Sequence, residues 1–208
     1  MTIARKIATI LLETEAVKLS PSKPFTWSSG WKSPIYCDNR ITLSDVSGRT
    51  VIKKALVSAI KKNFPEVDLI AGVATAGIAQ GALVADYLKV PFAYVRPKPK
   101  EHGMGNQIEG KISKGQKVVV LEDLISTGGS SLKAVEALRA AGIEVIGMIS
   151  VFTYGFKIAD ENFDIARVKL VTLSHYKYLI EEALQKGYIK DSEVDSLKNW
   201  RKNPAIWS

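Results

Sequence analysis

Residues 118–131, VVVLEDLISTGGSS, indicate an α/β fold built on a parallel sheet. Their first four residues are apolar and mostly β-branched, which is typical of a short strand buried on both faces. Two acids, Glu122 and Asp123, come next, and they precede a turn of serine, threonine and glycine that leads into a helical pattern. A strand, a turn and a helix N-terminus in this order often bind phosphate. Because the acids repel phosphate, we expect the ligand also to offer them hydroxyl groups or Mg2+.

Strands and helices alternate along the rest of the chain. A first helix is predicted over residues 3–19, and a second begins at Ser44 or Asp45 and ends near Asn63, with an irregular segment of short strands between them. The remaining predictions are strands at 67–73, 92–96, 117–121, 143–152 and 168–173, helices at 77–89 and 129–141, and tail helices at 176–186 and 191–200. This alternation is typical of a doubly wound, mainly parallel sheet flanked by helices.

Three informative loops follow three of the predicted strands. Two are rich in glycine, GVATAGIAQG at 72–81 and EDLISTGGS at 122–130, and the third, RPKPKEHGMG at 96–105, is cationic. In such sheets ligands bind at the carboxyl ends of the strands, near the switch in strand order. The three loops therefore predict a single site for a ligand with several phosphates.

Composition limits the compartment and the partners. The chain has 208 residues, 46% hydrophobic and 24% charged, which predicts one main core. The net charge of +8 admits nucleic acid, membranes or small polyanions, but the lysines are scattered except in residues 94–103. No apolar run approaches the roughly 20 residues of a membrane span, and the N-terminus lacks a signal-peptide pattern. The single cysteine, Cys37, agrees with a reducing compartment, so we expect a cytoplasmic protein without membrane or nucleic-acid partners.

The common phosphate and zinc motifs are absent, since the sequence contains no GxxxxGK[ST], GxGxxG, HExxH or CxxC. VVVLEDLISTGGS instead resembles the signature for phosphoribosyl diphosphate (PRPP) in the type I phosphoribosyltransferases. The resemblance implies the fold of that family, an α/β sheet with a small N-terminal hood. It also implies one domain over residues 1–208, with the hood at about 1–43 plus parts of the tail and the core at about 44–175.

Two further segments resemble the members of this family that act on orotate. FTWSSGWKSPIYCDNR, residues 25–40, is similar to their hood segment, and RPKPKEHG, residues 96–103, to their mobile catalytic loop. The resemblance implies a Mg2+-dependent pentosyltransferase of pyrimidine biosynthesis, which converts orotate and PRPP to orotidine 5′-phosphate and pyrophosphate. It further implies a homodimer in which each site is completed by the partner subunit.

The same resemblance implies roles for individual residues. Catalytic roles fall to Arg96, Lys100 and His102, which also contact PRPP, and Ser126 is expected to touch the base. The other residues expected to bind PRPP are Glu122, Asp123, Leu124, Ile125, Ser126, Thr127, Gly128, Gly129 and Ser130. Further candidates are Lys98, Thr75, Ala76, Gly77, Tyr36 and Arg40. Mg2+ is expected mainly through PRPP, with Asp123 as a candidate ligand.

Several alternatives stay open at the level of sequence. Tyr36 either stacks on a pyrimidine or belongs to the core, and Arg40 either binds the orotate carboxylate or forms a structural ion pair. Ser28, Tyr36, Cys37 and Ala76 depart from the pattern of orotate enzymes, so the lining of the base pocket and one contact to pyrophosphate stay open. The rival functions are a phosphoribosyltransferase for purine bases and a regulatory protein that senses PRPP and binds nucleic acid.

Overall fold

The computed structural model describes residues 1–27, 30–98 and 107–207. In chain order the elements are α1 (Ile3–Glu13), β1 (Val17–Leu19), β2 (Phe25–Thr26), β3 (Lys32–Ser33), β4 (Ile35–Cys37), a 3-10 helix (Asn39–Leu43), α2 (Val46–Asn63), β5 (Leu69–Val73), α3 (Ala76–Leu88), β6 (Phe92–Val95), β7 (Ile108–Glu109), β8 (Lys117–Ile125), α4 (Gly129–Ala140), β9 (Glu144–Thr153), α5 (Lys157–Ile165), β10 (Leu170–His175), α6 (Tyr176–Gln185) and α7 (Asp191–Lys202).

Six strands form the central sheet, in the order β10-β9-β8-β5-β6-β7. All neighbours are parallel except β7, which runs antiparallel to β6 at one edge. The chain proceeds outward from β5 to β6 and then returns to place β8 on the other side of β5. The strand order therefore switches between β5 and β8, and the prediction of a doubly wound, mainly parallel α/β sheet is confirmed.

Hydrophobic cores lie on both faces of the sheet. One core joins side chains of α1, α2, α3, α6 and α7 to Val119 and Leu121 of β8. The other joins side chains of α4 and α5 to Val118 and Val120 of the same strand. Successive residues of a strand point to opposite faces, so the uninterrupted apolar run of β8 is buried because both faces are covered.

The first predicted helix is wrong over residues 14–19. Helix α1 ends at Glu13, and Glu15 adopts a left-handed backbone conformation with a φ of 57°. The chain then forms β1, which pairs antiparallel with β4, Val17 opposite Cys37. The side chain of Val17 is buried in this strand, so an apolar residue at a helical spacing reflects burial rather than a continued helix.

Strand β8 and helix α5 also differ from the prediction. Strand β8 continues to Ile125 instead of ending at Leu121, and it pairs with β9 as far as Ile125 opposite Thr153. Helix α5 was not predicted, because only Ala159 and Phe163 are buried in it and two such positions make a weak helical pattern. The helix predicted from Ser44 or Asp45 is confirmed, with Asp45 as the N-cap that accepts hydrogen bonds from the Ser47 and Gly48 amides.

The small strands near the N-terminus pack against the C-terminal helix. The indole nitrogen of Trp200 in α7 donates to the carbonyl of Lys32 at 3.3 Å, and its ring meets that of Trp27 edge-on, 5.6 Å between centroids. Arg201 donates to the carbonyls of Tyr154 and Gly155 after β9. Helix α7 thus joins these strands to the carboxyl end of β9. None of the described helices is long and apolar enough to cross a membrane.

Candidate active site

A crevice opens at the switch point, between the loops that follow β5 and β8. Strand β8 extends past the last paired residue of β5, since the final register pair is Gly72 with Leu121. The acids therefore lie on a strand that has one neighbour, β9, and an open side. Around them is a cavity of about 310 Å³, here called the central cavity. Its lining comprises Val73, Ala74, Thr75, Ala76, Glu122, Asp123, Leu124, Ser126, Thr127, Gly128, Gly129, Ser130 and Ser131.

The two acids are held by their neighbours in the central cavity. Glu122 is 5% exposed, and its carboxylate accepts hydrogen bonds from the Ser131 hydroxyl at 2.9 Å and from the Asp123 amide at 3.1 Å. Burial raises the pKa of Glu122, and the charge of Asp123 raises it further. Burial also raises the pKa of Asp123. Two carboxyl groups held together with little water favour a ligand that brings hydroxyl donors or a cation.

The loop after β8 has the geometry of an anion site. Gly128 has a φ of +81°, and α4 begins at Gly129, so the first amides of the helix face the central cavity. Helix α5 supports this loop from behind, because Asn162 donates to the Thr127 carbonyl at 2.9 Å. A Cβ atom at Gly128 would lie 2.7 Å from the ring of Phe163, so the close packing of loop and helix requires glycine.

The loop after β5 forms the opposite wall. Thr75 and Ala76 line the central cavity, and the peptide bond between Ala74 and Thr75 is cis. Gly77 does not line the cavity but allows α3 to approach β8, since a Cβ atom there would lie 2.5 Å from the Leu121 carbonyl oxygen. The predicted residues Thr75 and Ala76 are thus at the site, and Gly77 supports them.

A second cavity, of about 440 Å³, adjoins the central cavity and is here called the cationic cavity. It shares Gly129 and Ser130 with the central cavity, and its charged lining residues are Arg96, Lys98 and Lys133. Arg96 also lies 3.8 Å from Glu109. The amide of Arg96 donates to the Gln107 carbonyl and the side-chain amide of Gln107 donates to the Arg96 carbonyl, which brings residues 96 and 107 together. Lys100 and His102, the other predicted residues of this loop, lie outside the described residues.

A third cavity, of about 610 Å³, lies on the other side and is here called the hood cavity. It shares Leu124, Ser126 and Thr127 with the central cavity. Its other lining residues are Thr26, Trp27, Trp31, Tyr36, Cys37 and Tyr154, so aromatic rings dominate the walls. Planar rings of this kind suit a flat heterocyclic ligand.

The structure shows where the side chains of Tyr36, Arg40 and Ile125 lie relative to the cavities. Tyr36 lines the hood cavity and is 45% exposed, so it is not a core residue. Arg40 forms a bidentate ion pair with Asp38, at 2.6 and 2.8 Å, yet its side chain is 56% exposed. Ile125, by contrast, is buried in the core and its carbonyl accepts from the Thr153 hydroxyl, so its side chain does not reach the cavities. Ser28 lies outside the described residues.

Several residues of the site were missed by the sequence analysis. Lys133 follows Gly129 by four residues, one helical turn, and this spacing was an available signal. Trp27 and Trp31 belong to the segment that resembles the hood, residues 25–40, but were not singled out as site residues, and no local pattern marks Tyr154. Among the described residues, no three His, Cys, Asp or Glu side chains form a cluster that could hold a metal ion. Asp123 and Glu122 are the carboxylates that the central cavity offers to a cation.

Comparison with known proteins agrees with this geometry. A profile of the phosphoribosyl transferase domain matches residues 48–185. Orotate phosphoribosyltransferases of Cytophaga hutchinsonii and Listeria innocua are 58% and 56% identical to this chain, each over 207 residues, 100% of the chain and 99% of the relative. The crystal structure of orotate phosphoribosyltransferase from Aeropyrum pernix is similar with a TM-score of 0.77 and 33% identity, covering 88% of this chain and 99% of that one.

Proposed function

The chain belongs to the phosphoribosyltransferase family, and we propose on this basis that it is a pentosyltransferase that transfers the 5-phosphoribosyl group of PRPP to orotate. The products are orotidine 5′-phosphate and pyrophosphate, which places the protein in pyrimidine biosynthesis. The names of its full-length relatives support orotate as the base over a purine. The cationic loop supports an enzyme over a PRPP sensor, because a sensor has no leaving group to stabilise.

The observation that carries this proposal is the order of the three adjoining cavities. The hood cavity and the central cavity share Ser126 and Thr127, and the central and cationic cavities share Gly129 and Ser130. A planar base, a ribose 5-phosphate and a diphosphate fit these cavities in that sequence. The ribose C1, where one bond breaks and another forms, then lies between the aromatic and the cationic ends.

Each cavity contributes one part of the proposed chemistry. In the central cavity Glu122 and Asp123 accept hydrogen bonds from the ribose hydroxyls, while residues 126–130 donate amides and hydroxyls to the 5′-phosphate. Displacement at C1 builds negative charge on pyrophosphate, and Arg96, Lys98 and Lys100 stabilise that charge. His102 donates a proton or a hydrogen bond to a phosphate oxygen.

The base is proposed to bind in the hood cavity. Tyr36 offers an exposed ring for stacking on the pyrimidine, and Ser126 lies where this cavity meets the central one. The side chain of Arg40 is paired with Asp38 but more than half exposed, and we propose it as the group that binds the orotate carboxylate.

Mg2+ is the proposed cofactor, and the carboxylates of the central cavity fit it. Mg2+ prefers oxygen ligands and is usually bound through one or two carboxylates together with substrate phosphates. Asp123 is the proposed protein ligand, and the remaining ligands come from PRPP and water. When bound, the ion supplies positive charge that neutralises the diphosphate.

A homodimer is the proposed assembly, with each site completed by the partner. Three exposed apolar side chains support it, Ile41 of the 3-10 helix, Val46 of α2 and Tyr87 of α3, which belong to elements that pack on one another. We also propose a single domain over residues 1–208 whose hood comprises about 1–43 and parts of the tail. A cytoplasmic location is proposed because the one cysteine, Cys37, has no partner for a disulfide within the chain.

A substrate comparison tests the proposed function. Purified protein with PRPP and Mg2+ is assayed separately with orotate, uracil, adenine, hypoxanthine and xanthine, and the nucleotide product is identified by mass. Orotidine 5′-phosphate and pyrophosphate are expected in equal amounts from orotate alone. A purine nucleotide as the main product supports the purine rival, and PRPP binding without turnover of any base supports the sensor.

A further inference from the structure

Asn39 lies between the hood cavity and the acid pair. It is the first residue of the 3-10 helix and is 4% exposed, so its side-chain amide needs partners within the protein. The nitrogen Nδ2 donates to the backbone carbonyl of Asp123 at 2.7 Å, across 84 positions of sequence. This short hydrogen bond connects the hood to β8 at the residue that we place on the ribose.

The oxygen of the same side-chain amide contacts a residue that lines the hood cavity. The thiol of Cys37 donates to Oδ1 of Asn39 at 3.4 Å, and Cys37 lines the hood cavity. A carbonyl oxygen only accepts, so Nδ2 must face Asp123 and Oδ1 must face the thiol. Burial, with the charges of Asp123 and Asp38, raises the pKa of Cys37, which keeps its sulfur protonated as the donor.

The backbone of Asn39 is held independently of its side chain. The Asp38 carboxylate caps the 3-10 helix by accepting from the Arg40 amide, and the Thr42 hydroxyl donates to the Asn39 carbonyl at 2.7 Å. The side-chain amide can therefore be altered while the hydrogen bonds that define the helix remain. It also follows that a shift of β4, which carries Tyr36 and Cys37, is transmitted through this helix to Asp123.

We propose that Asn39 is a positioning residue that couples the binding of the base in the hood cavity to the binding of the ribose at Asp123. The inference rests on the proposed function, because it takes the base and the ribose as the occupants of these cavities. A base that contacts Tyr36 and Cys37 sets the position of Asn39, and Asn39 sets the backbone of Asp123. Such coupling is reciprocal, so each ligand tightens the binding of the other by the same factor.

Ribose 5-phosphate serves as the probe, since it fills the central cavity but has no diphosphate to displace and cannot react. Its dissociation constant is measured by calorimetry with and without saturating orotate. In the parent protein orotate is expected to tighten binding by about fivefold or more, the lower range of measured couplings. In Asn39→Ala the factor is expected to fall to within about twofold of unity.

Thr42→Val is the matched control, because Thr42 is also buried in the same 3-10 helix and, within the described residues, its hydroxyl donates to the Asn39 carbonyl and not to Asp123. It should keep the coupling factor of the parent. If Thr42→Val lowers the coupling factor as much as Asn39→Ala does, the effect belongs to the helix as a whole and the proposal is overturned. The proposal is also overturned if Asn39→Ala leaves the coupling factor unchanged, or if the parent protein shows no coupling. If Asn39→Ala lacks a cooperative thermal transition, Asn39→Leu is measured instead, since it keeps a similar branched shape and cannot donate a hydrogen bond.

The parent protein is assayed for orotidine 5′-phosphate before the coupling is measured. A parent that forms no such product overturns the proposed function, and with it the assignment of Asn39. A parent that turns over orotate but shows no dependence of the coupling on Asn39 overturns the inference alone.

Discussion

At the scale of single residues, the central cavity places two carboxyl groups where burial disfavours both charges, and the charge of Asp123 further disfavours that of Glu122. Ser131 and the Asp123 amide donate to Glu122 and offset part of this cost. Asn39 holds the Asp123 backbone. Buried carboxyl groups with raised pKa values are typical of a binding site, because the ligand then supplies the hydrogen-bond donors or the cation that stabilise their charges.

The acid pair should make stability depend on pH. Its carboxyl pKa values are raised by folding, so the folded state binds more protons than the unfolded state above the ordinary values near 4. The free energy of unfolding then falls as pH rises through this window. Because burial raises the pKa of Asp123, Asp123→Asn should raise Tm more at pH 8 than at pH 4.5, by about 2–4 °C for each kcal/mol of charge-burial cost removed. Thermal scans without ligand measure this, and an equal change in Tm at both pH values contradicts it.

The same substitution should weaken PRPP binding. A hydrogen bond to a charged group contributes roughly 1.5–3 kcal/mol, so Asp123→Asn is expected to raise the Kd for PRPP by about 10- to 100-fold. Inorganic phosphate, which needs only the loop at residues 126–130, should bind almost as in the parent. Calorimetric titrations at low and high Mg2+ separate the two roles, because excess Mg2+ restores affinity only if Asp123 holds the metal.

The exposed Asp164 of α5 offers a matched control for that titration. Asp164→Asn removes one negative charge outside the three cavities and should leave the affinity for PRPP unchanged. If Asp123→Asn and Glu122→Gln both bind PRPP as the parent does, the acids do not contact the ribose.

At the scale of elements, residues of the first helical turn of α4 line both the central cavity and the cationic cavity. Its N-terminus faces the central cavity, and Lys133, four residues after Gly129, lines the cationic cavity next to Arg96 and Lys98. The same helix therefore places amides at the proposed 5′-phosphate and an ammonium group at the proposed diphosphate. Helix α5 in turn fixes the loop before α4 through Asn162 and Phe163.

Removal of the Lys133 charge should weaken the binding of PRPP, through its diphosphate, more than the binding of the base. Lys133→Ala is expected to raise the KM for PRPP by about 3- to 30-fold, within the range for one charged contact, while the KM for orotate stays within about twofold. Initial-rate kinetics measure both constants. Lys54→Ala, an exposed lysine of α2 outside these cavities, is the control, and an equal change in both variants assigns the effect to net charge alone.

At the scale of the whole molecule, the site is assembled from segments far apart in the chain. The hood cavity combines residues near position 30 with Tyr154, and the cationic cavity combines the ends of β5 and β6 with α4. The switch between β5 and β8 creates the space in which these segments meet. Helix α7 then fixes the short N-terminal strands against the carboxyl end of β9 through Trp200 and Arg201.

The proposed dimer predicts complementation between two impaired variants. Lys100→Ala alone should lower kcat by on the order of 100-fold or more, as loss of a transition-state donor does. When Lys100→Ala and Asp123→Asn subunits are mixed and exchanged, some heterodimers contain one site free of both substitutions. Recovery of part of the activity is expected, and its absence in heterodimers verified by mass spectrometry means that each site is built within one subunit.

The sequence by itself determined the features that depend on near neighbours in the chain. The apolar run of β8 indicated a strand buried on both faces, and residues 126–131 indicated an anion site, because periodicity and turn chemistry act over a few residues. The alternation of elements indicated the doubly wound sheet. The wrong extension of α1 to residue 19 shows the limit of such patterns, since Val17 is buried by pairing with β4 rather than by helical packing.

Only the tertiary structure decided which distant residues meet. The hydrogen bond from Asn39 to Asp123, the support of Thr127 by Asn162, and the place of Lys133 beside Arg96 all join segments that the sequence keeps apart. The order β9-β8-β5-β6, which opens the crevice, likewise follows from how whole elements pack. Burial of two sheet faces and pairing of strand edges are satisfied by the molecule as a whole, so no local spacing of residues records them.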